Sequence, residues 1–169
     1  RGCKFNCDFC SIRAFYGTSL RQRPVSEVVD EIGRSGGRLV FFVDDNIFVN
    51  VDKARELFEA LIPLRIQWFC QCSLDVAKDP DLVRLMQRSG CTSVLFGFES
   101  LDPGNLKQMK KGWNLKFRDY ETAIRIVQDA GMMIYGTFVF GYDLDRVESF
   151  ERTVEFAVRH RFYLANFNP

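Results

Sequence analysis

The sequence has no excess of charge of either sign. Its 23 Lys and Arg stand against 22 Asp and Glu, a formal net charge of +1, which excludes a general polyanion-binding surface and makes nucleic acid a poor generic partner. It has no apolar run of membrane-spanning length and no signal-like start, so neither a membrane span nor secretion is expected. Internal repeats and low-complexity segments are absent. The chain has one histidine, His160, set between Arg159 and Arg161, where a charge complementing a helix dipole is the ordinary reading. It does not begin with methionine: Arg1 opens directly on a cysteine-rich stretch with no strand ahead of it, as expected of a piece of a longer protein. Six cysteines without secretory features point to the reducing cytoplasm rather than a disulfide scaffold.

What is present is a well-stocked interior. In 169 residues, 47% are hydrophobic and 17 are Phe, enough for one α/β domain spanning 1–169. Residues 11–23 read as a polar connecting loop. Val28, Val29 and Ile32 share a helical face behind an expected N-cap at Ser26, and Gly36 and Gly37 stop that helix. The continuous apolar run 39–43 predicts a strand buried on both faces. Helix 52–61 should bury Ala54, Leu57, Phe58 and Leu61, and strand 65–74 follows. Asp79 as N-cap and Pro80 at the first helical position open the next helix, which Gly90 ends. Strand 93–98 delivers Glu99 and Ser100, and a short helix from Asp102 and Pro103 carries Met109, Lys110 and Lys111. After Asn114 a helix with Tyr120, Ala123, Ile124 and Val127 on one side leads to strand 133–140. Helix 146–159, expected to bury Val147, Phe150, Val154, Ala157 and Val158, leads to a strand over 162–167. Alternating strands and helices with long crossovers predict parallel pairing, but the pattern alone does not choose between a barrel and a doubly wound sheet.

Cys3, Cys7 and Cys10, spaced C-x3-C-x2-C, can reach one point in space. An iron–sulfur cluster takes thiolate ligands, and three of them leave one iron of a [4Fe–4S] cube open for chemistry. A structural zinc site, which normally closes with four ligands, a disulfide pair and buried free thiols are the other readings. Zinc would make the chain a non-catalytic metal-binding module. Cys70, Cys72 and Cys91 read as buried packing thiols rather than a second cluster.

The motif, with aromatic Phe9 before the last cysteine, resembles the signature of the radical S-adenosylmethionine (SAM) superfamily. The resemblance covers essentially the whole chain through FFVDDN, LFGFES and GTFVFGYD. It implies a partial (β/α)6 barrel with its first strand missing, and Cys3, Cys7 and Cys10 as ligands of a [4Fe–4S] cluster. SAM would chelate the open iron through its amino and carboxylate groups and be cleaved reductively to a 5′-deoxyadenosyl radical, for hydrogen abstraction, methyl transfer or rearrangement on a small-molecule substrate. It also implies Phe9 beside the adenine, Asp44 or Asp45 accepting from the SAM amino group, Ser73 at the same mouth and Glu99 in contact with SAM. Lys110 would face the SAM carboxylate, and Phe138 would lie along the adenine. The chain has Asp-Asp-Asn where relatives often carry Gly-Gly-Glu, so the backbone role there carries over better than a side-chain role. The resemblance is nearest to bacterial members with a cobalamin-binding domain. Any cobalamin would belong to a part of the protein outside these residues. An electron donor such as flavodoxin or ferredoxin is the implied partner, and open strand edges predict self-association.

Overall fold

A computed structural model describes residues 1–17, 19–116 and 120–169. Five strands, β1 (Leu39–Phe42), β2 (Gln67–Cys72), β3 (Cys91–Glu99), β4 (Met133–Val139) and β5 (Leu164–Asn168), pair in parallel in chain order. That order decides what the sequence pattern left open. A doubly wound sheet reverses its direction of winding once, whereas here every right-handed crossover steps the same way. The helices therefore gather on one face, and the other face becomes the concave inside of a barrel-like sheet.

The helices are α1 (Ser11–Tyr16), α2 (Val25–Ser35), α3 (Val51–Leu61), α4 (Pro80–Arg88), α5 (Pro103–Gln108), α6 (Tyr120–Asp129) and α7 (Val147–Arg159). Their ends follow local chemistry. Asp79 accepts from the Leu82 N–H at 2.9 Å and Asp102 from those of Gly104 and Asn105, satisfying donors that have no partner inside the helix. Left-handed Gly36 closes α2. Two expectations change here: Ser26 lies inside the first turn of α2, whose N-cap is Pro24, and 11–23 is not all loop, because α1 starts directly behind Cys10. The expected start of α6 behind Asn114 falls partly on residues 117–119, outside the described residues.

The core lies between sheet and helices. Trp68, Phe58, Leu61, Met86 and Ile124 are fully buried, and the Trp68 indole donates to the Ser89 carbonyl at 3.0 Å. Under α6 and α7, Phe98 meets Phe138, Phe156, Phe162 and Tyr120 in stacked and edge contacts. The concave face is open, which corrects the expectation for β1. Phe42 is buried against the helices, but Leu39 and Phe41 on the other side are 65% and 48% exposed. The last helix also differs from its predicted face. Phe156 fills the slot beside Phe98 and Phe138, so α7 buries Thr153, Phe156 and Ala157. Of the expected stripe only Ala157 is buried, and Val147, Phe150, Val154 and Val158 stay exposed. His160 caps the end of α7, 3.6 Å from Glu121.

Candidate functional site

The cysteine loop is tied to strand ends across the sheet. The Arg1 guanidinium donates to the Val43 carbonyl just past β1 at 2.8 Å, and the Gly2 N–H donates to an Asp45 carboxylate oxygen at 2.6 Å. Lys4 pairs with Asp75 beyond β2 at 3.2 Å. The Asp8 N–H donates to the Met109 carbonyl at the end of α5, and Tyr142, beyond β4, reaches Asp8 at 3.5 Å. Gly2 has a φ of 101°, and a Cβ there would lie 2.3 Å from the Ser19 carbonyl oxygen, so the residue before the first cysteine must be glycine. These contacts hold Cys3, Cys7 and Cys10 half-buried around one pocket at the C-terminal strand ends, where parallel barrels carry their chemistry.

The opposite wall is built on a β-bulge. The β3 to β4 register slips between Gly97 and Glu99, and Glu99 takes a left-handed φ of 64°. Alternation along β3 leaves Phe98 in the aromatic core and puts Glu99, with Leu95 and Gly97, on the pocket side. A buried non-glycine residue in this conformation stores about 1–3 kcal/mol of strain, which concentrates at functional sites. Glu99 pairs with Lys111 at 2.5 Å, both side chains less than a tenth exposed. The Lys111 ammonium lies 5.3 Å from the Trp113 ring centroid and 6.0 Å from that of Phe9, and Trp113 stacks on Phe5 at 3.7 Å. Gly97 makes room for the pair: a Cβ there would lie 2.1 Å from a Glu99 carboxylate oxygen and 2.7 Å from Lys111 Nζ.

Phe9, Asp45, Ser73 and Glu99 join the three cysteines around this pocket, with Asn46, Gln71, Trp113, Thr137 and Lys111. Ser73 accepts from the Asn46 amide at 2.8 Å and donates to Asp75 at 2.5 Å. Three expected site residues are elsewhere. Asp44 lines a groove among β1, α2 and α3. Phe138 is fully buried on the helix side of β4, because side chains alternate along a strand and Thr137 takes the concave face. Lys110 is exposed.

The lysine exchange has a backbone cause. At the end of α5 the Lys111 N–H donates to the Leu106 carbonyl and the Lys110 N–H to the Lys107 carbonyl, with Lys110 at φ 54°. This is a Schellman ending with lysine in the left-handed position that glycine usually holds. The reversal points Lys110 outward and carries Lys111 in. Lys110→Gly is expected to relieve about 1 kcal/mol of left-handed strain and raise Tm by about 2–4 °C. Thermal unfolding checks it, and a lowered Tm would mean that Lys110 makes contacts the αL geometry does not account for.

Burial pushes the Cys7 thiol above its ordinary range, and the nearby Lys111 charge acts against that rise. A cationic group beside a thiol favours the thiolate that metal ligation needs. The donor set bears on which group fits. A lone zinc ion needs sulfurs about 2.3 Å from it and so about 3.8 Å from one another. Among the described residues no three Cys, His, Asp or Glu side chains converge that tightly. The three thiols line one pocket, and thiolates are the ligands that an iron–sulfur cluster takes. Cys70, Cys72 and Cys91 are buried, with Cys72 reaching the wall of the same pocket; burial pushes the Cys72 and Cys91 thiols well up, while Cys70, against its own burial, is held below the ordinary thiol range by hydrogen bonds with those two.

Fold and pocket together define a parallel α/β barrel segment whose first loop gathers three thiols at its mouth. The family model for the radical SAM superfamily matches residues 1–157. The chain is 35% identical over 95% of its length to bacteriochlorophyllide d C-12(1)-methyltransferase of Chlorobaculum tepidum, covering 36% of that protein. It is 29% identical over 99% of its length to hopanoid C-2 methylase of Rhodopseudomonas palustris, covering 33% of it. In structure it superposes with a TM-score of 0.85 and 20% identity on the radical SAM methyltransferase TsrM from Kitasatospora setae, solved with cobalamin and a [4Fe–4S] cluster bound, over 99% of this chain and 34% of that one. The chain belongs to the radical SAM superfamily. It spans about a third of the length of these relatives.

Proposed function

We propose that residues 1–169 form one domain, the part of a radical SAM enzyme that holds a [4Fe–4S] cluster on Cys3, Cys7 and Cys10 and binds SAM across the pocket from it. The observation that supports this reading is the convergence of those thiols and the Glu99–Lys111 pair on one pocket. When bound and reduced, the cluster supplies the electron that splits the SAM sulfonium and yields a 5′-deoxyadenosyl radical. The protein's part is to place and shield these groups. Lys111 offers a cation to the SAM carboxylate, in the role expected of Lys110, while Glu99 and Asn46 offer oxygens to its amino group or ribose. Phe9, Phe5 and Trp113 give the pocket apolar surface beside the thiols. Asp45 acts through its carboxylate, which accepts from the Gly2 N–H and holds the cysteine loop.

Methyl transfer is the outcome favoured by the relatives, two of which are methylating enzymes by name. Cobalamin enters the reading through TsrM and would be held outside residues 1–169. The reaction needs an external one-electron donor of the flavodoxin or ferredoxin type, and it fits the reducing cytoplasm. Anaerobic reconstitution with iron and sulfide tests the core of this. A brown protein whose visible absorbance bleaches on reduction, and whose electron paramagnetic resonance signal changes as SAM is titrated in, is the expected result. Stoichiometric zinc with no stable iron, or a signal indifferent to SAM, would overturn it.

A further inference from the structure

The Lys111 ammonium sits in surroundings that suit a different cation. Its side chain is 8% exposed, and its one hydrogen bond among the described residues goes to Glu99, although an ammonium carries three donors and is strongly hydrated in water. The rest of its shell is aromatic. The nitrogen lies 5.3 Å from the Trp113 ring centroid and 6.0 Å from that of Phe9, within the range at which a ring face attracts a cation. Trp113 is backed by Phe5, stacked on it at 3.7 Å with the planes 8° apart, and Lys4 lies 5.1 Å from the Phe5 centroid. Glu99, Lys111, Phe9, Phe5 and Trp113 line the same pocket as the three thiols. A shell of ring faces and one carboxylate offers an ammonium little to donate to, but it matches an onium group, which has charge and no donor to satisfy.

We propose that Phe9, Trp113 and Glu99 form a cation cage that selects SAM by the charge on its sulfonium, with the Lys111 ammonium holding the place until SAM binds. The proposal rests on the SAM reading of this pocket. The amino and carboxylate groups of SAM are the ones implied as ligands of the open iron, so the sulfonium is the cation left for the protein to recognise. It has no N–H to satisfy, and a ring face attracts it most strongly where water is excluded. As it enters, Lys111 gives up Glu99 and turns its ammonium to the SAM carboxylate. The pocket then keeps one cation beside Glu99 in both states, and no buried carboxylate is stranded. Discrimination follows: S-adenosylhomocysteine carries the same adenosine and amino acid on a neutral thioether, and gains nothing from the rings.

The test uses the full-length protein with its cluster reconstituted and oxidised, so that SAM binds without being cleaved, titrated by calorimetry with SAM and with S-adenosylhomocysteine. Trp113→Leu is expected to weaken SAM binding about tenfold and to leave S-adenosylhomocysteine within about twofold of its wild-type affinity. Phe9→Leu should do the same by a smaller factor, and Trp113→Phe should keep most of the preference for SAM. Protein grown on mono- and then difluorinated tryptophan guards against misfolding, because fluorine draws charge from the ring face with little change of shape. SAM affinity should fall stepwise along that series while S-adenosylhomocysteine affinity holds. Trp68, the other of the two tryptophans, is fully buried in the core and meets neither ligand. Affinities for both ligands that fall together overturn the proposal, since they would make Trp113 a wall of the pocket and no more. SAM affinity indifferent to fluorination overturns it as well, with no variant's folding in question. A wild-type protein that holds a cluster yet binds no SAM defeats the SAM reading itself, and the proposal with it, before any variant is made.

Discussion

Cys7→Ala is expected to leave a protein that folds but holds no stable iron after anaerobic reconstitution, and Cys3→Ala and Cys10→Ala the same. The loop that carries these residues is fixed by Asp45, Lys4 and the Met109 carbonyl, and none of those contacts involves a cysteine side chain. The fold should therefore survive, while a cluster with one free position for SAM loses one of only three protein ligands. Cys70→Ala, Cys72→Ala and Cys91→Ala should retain the wild-type iron content and cost about 1 kcal/mol each in packing, because their thiols are buried in the core. Iron content and unfolding temperature, measured on the same preparations, separate the two groups. Loss of iron in Cys91→Ala as complete as in Cys7→Ala would show that the ligands have been misassigned.

The second large effect concerns the buried pair. Glu99→Ala strands the Lys111 ammonium, 8% exposed, without its carboxylate, and breaking a buried pair from one side costs about 3–5 kcal/mol, a large part of a domain's stability. Tm should fall by about 10 °C. Glu99→Gln with Lys111→Met removes both charges together and should recover most of that loss, since the two are then absent as a pair. SAM affinity should not recover. A hydrogen bond to a charged group is worth about 1.5–3 kcal/mol, so the double variant is expected to bind SAM about ten- to a hundredfold more weakly with iron content intact. Gly97→Ala attacks the same pair sterically and should mimic the single variant. A double variant that binds SAM as wild type does would leave the pair with a structural role only.

Much of the frame could be read in advance because its signals are local. Asp79 with Pro80, Gly36 and the alternation of strand and helix each follow from a few neighbouring residues, and the structure places them as expected. What misled was any question of facing. An apolar run such as 39–43 looks alike whether its far side meets a helix or an open concavity, and β1 meets the latter. In α7 the pattern holds two possible stripes, and the space left by Phe98 and Phe138 selects the one through Phe156. Phe138 and Thr137 are neighbours in sequence, and only the sheet tells which looks into the pocket. Lys110 and Lys111 were inseparable for a similar reason: the left-handed turn that parts them carries no glycine to announce it. Phe5 against Trp113 joins residues far apart in the chain, and no local signal foretells it. That Cys3, Cys7, Cys10 and Glu99 share one pocket could be expected because their motifs are short and sit at strand ends.

Strand order that follows chain order also bears on how the protein is made. Each strand pairs only with the strands before and after it in sequence, so the sheet can assemble as it is synthesised, with no early strand waiting for a distant partner. Of these residues the cysteine loop leaves the ribosome first. Lys111 emerges roughly 100 residues after Cys10, about 5–20 s later at ordinary elongation rates of about 5–20 residues per second. Until then the thiols have neither the Glu99–Lys111 wall opposite them nor the Trp113 ring over Phe5. A nascent chain thus presents three open thiols to the cell for several seconds, and a metal inserted in that interval would meet an unfinished site. On the cluster reading of Cys3, Cys7 and Cys10, loading belongs after Lys111 and Trp113 have emerged and the far wall has closed.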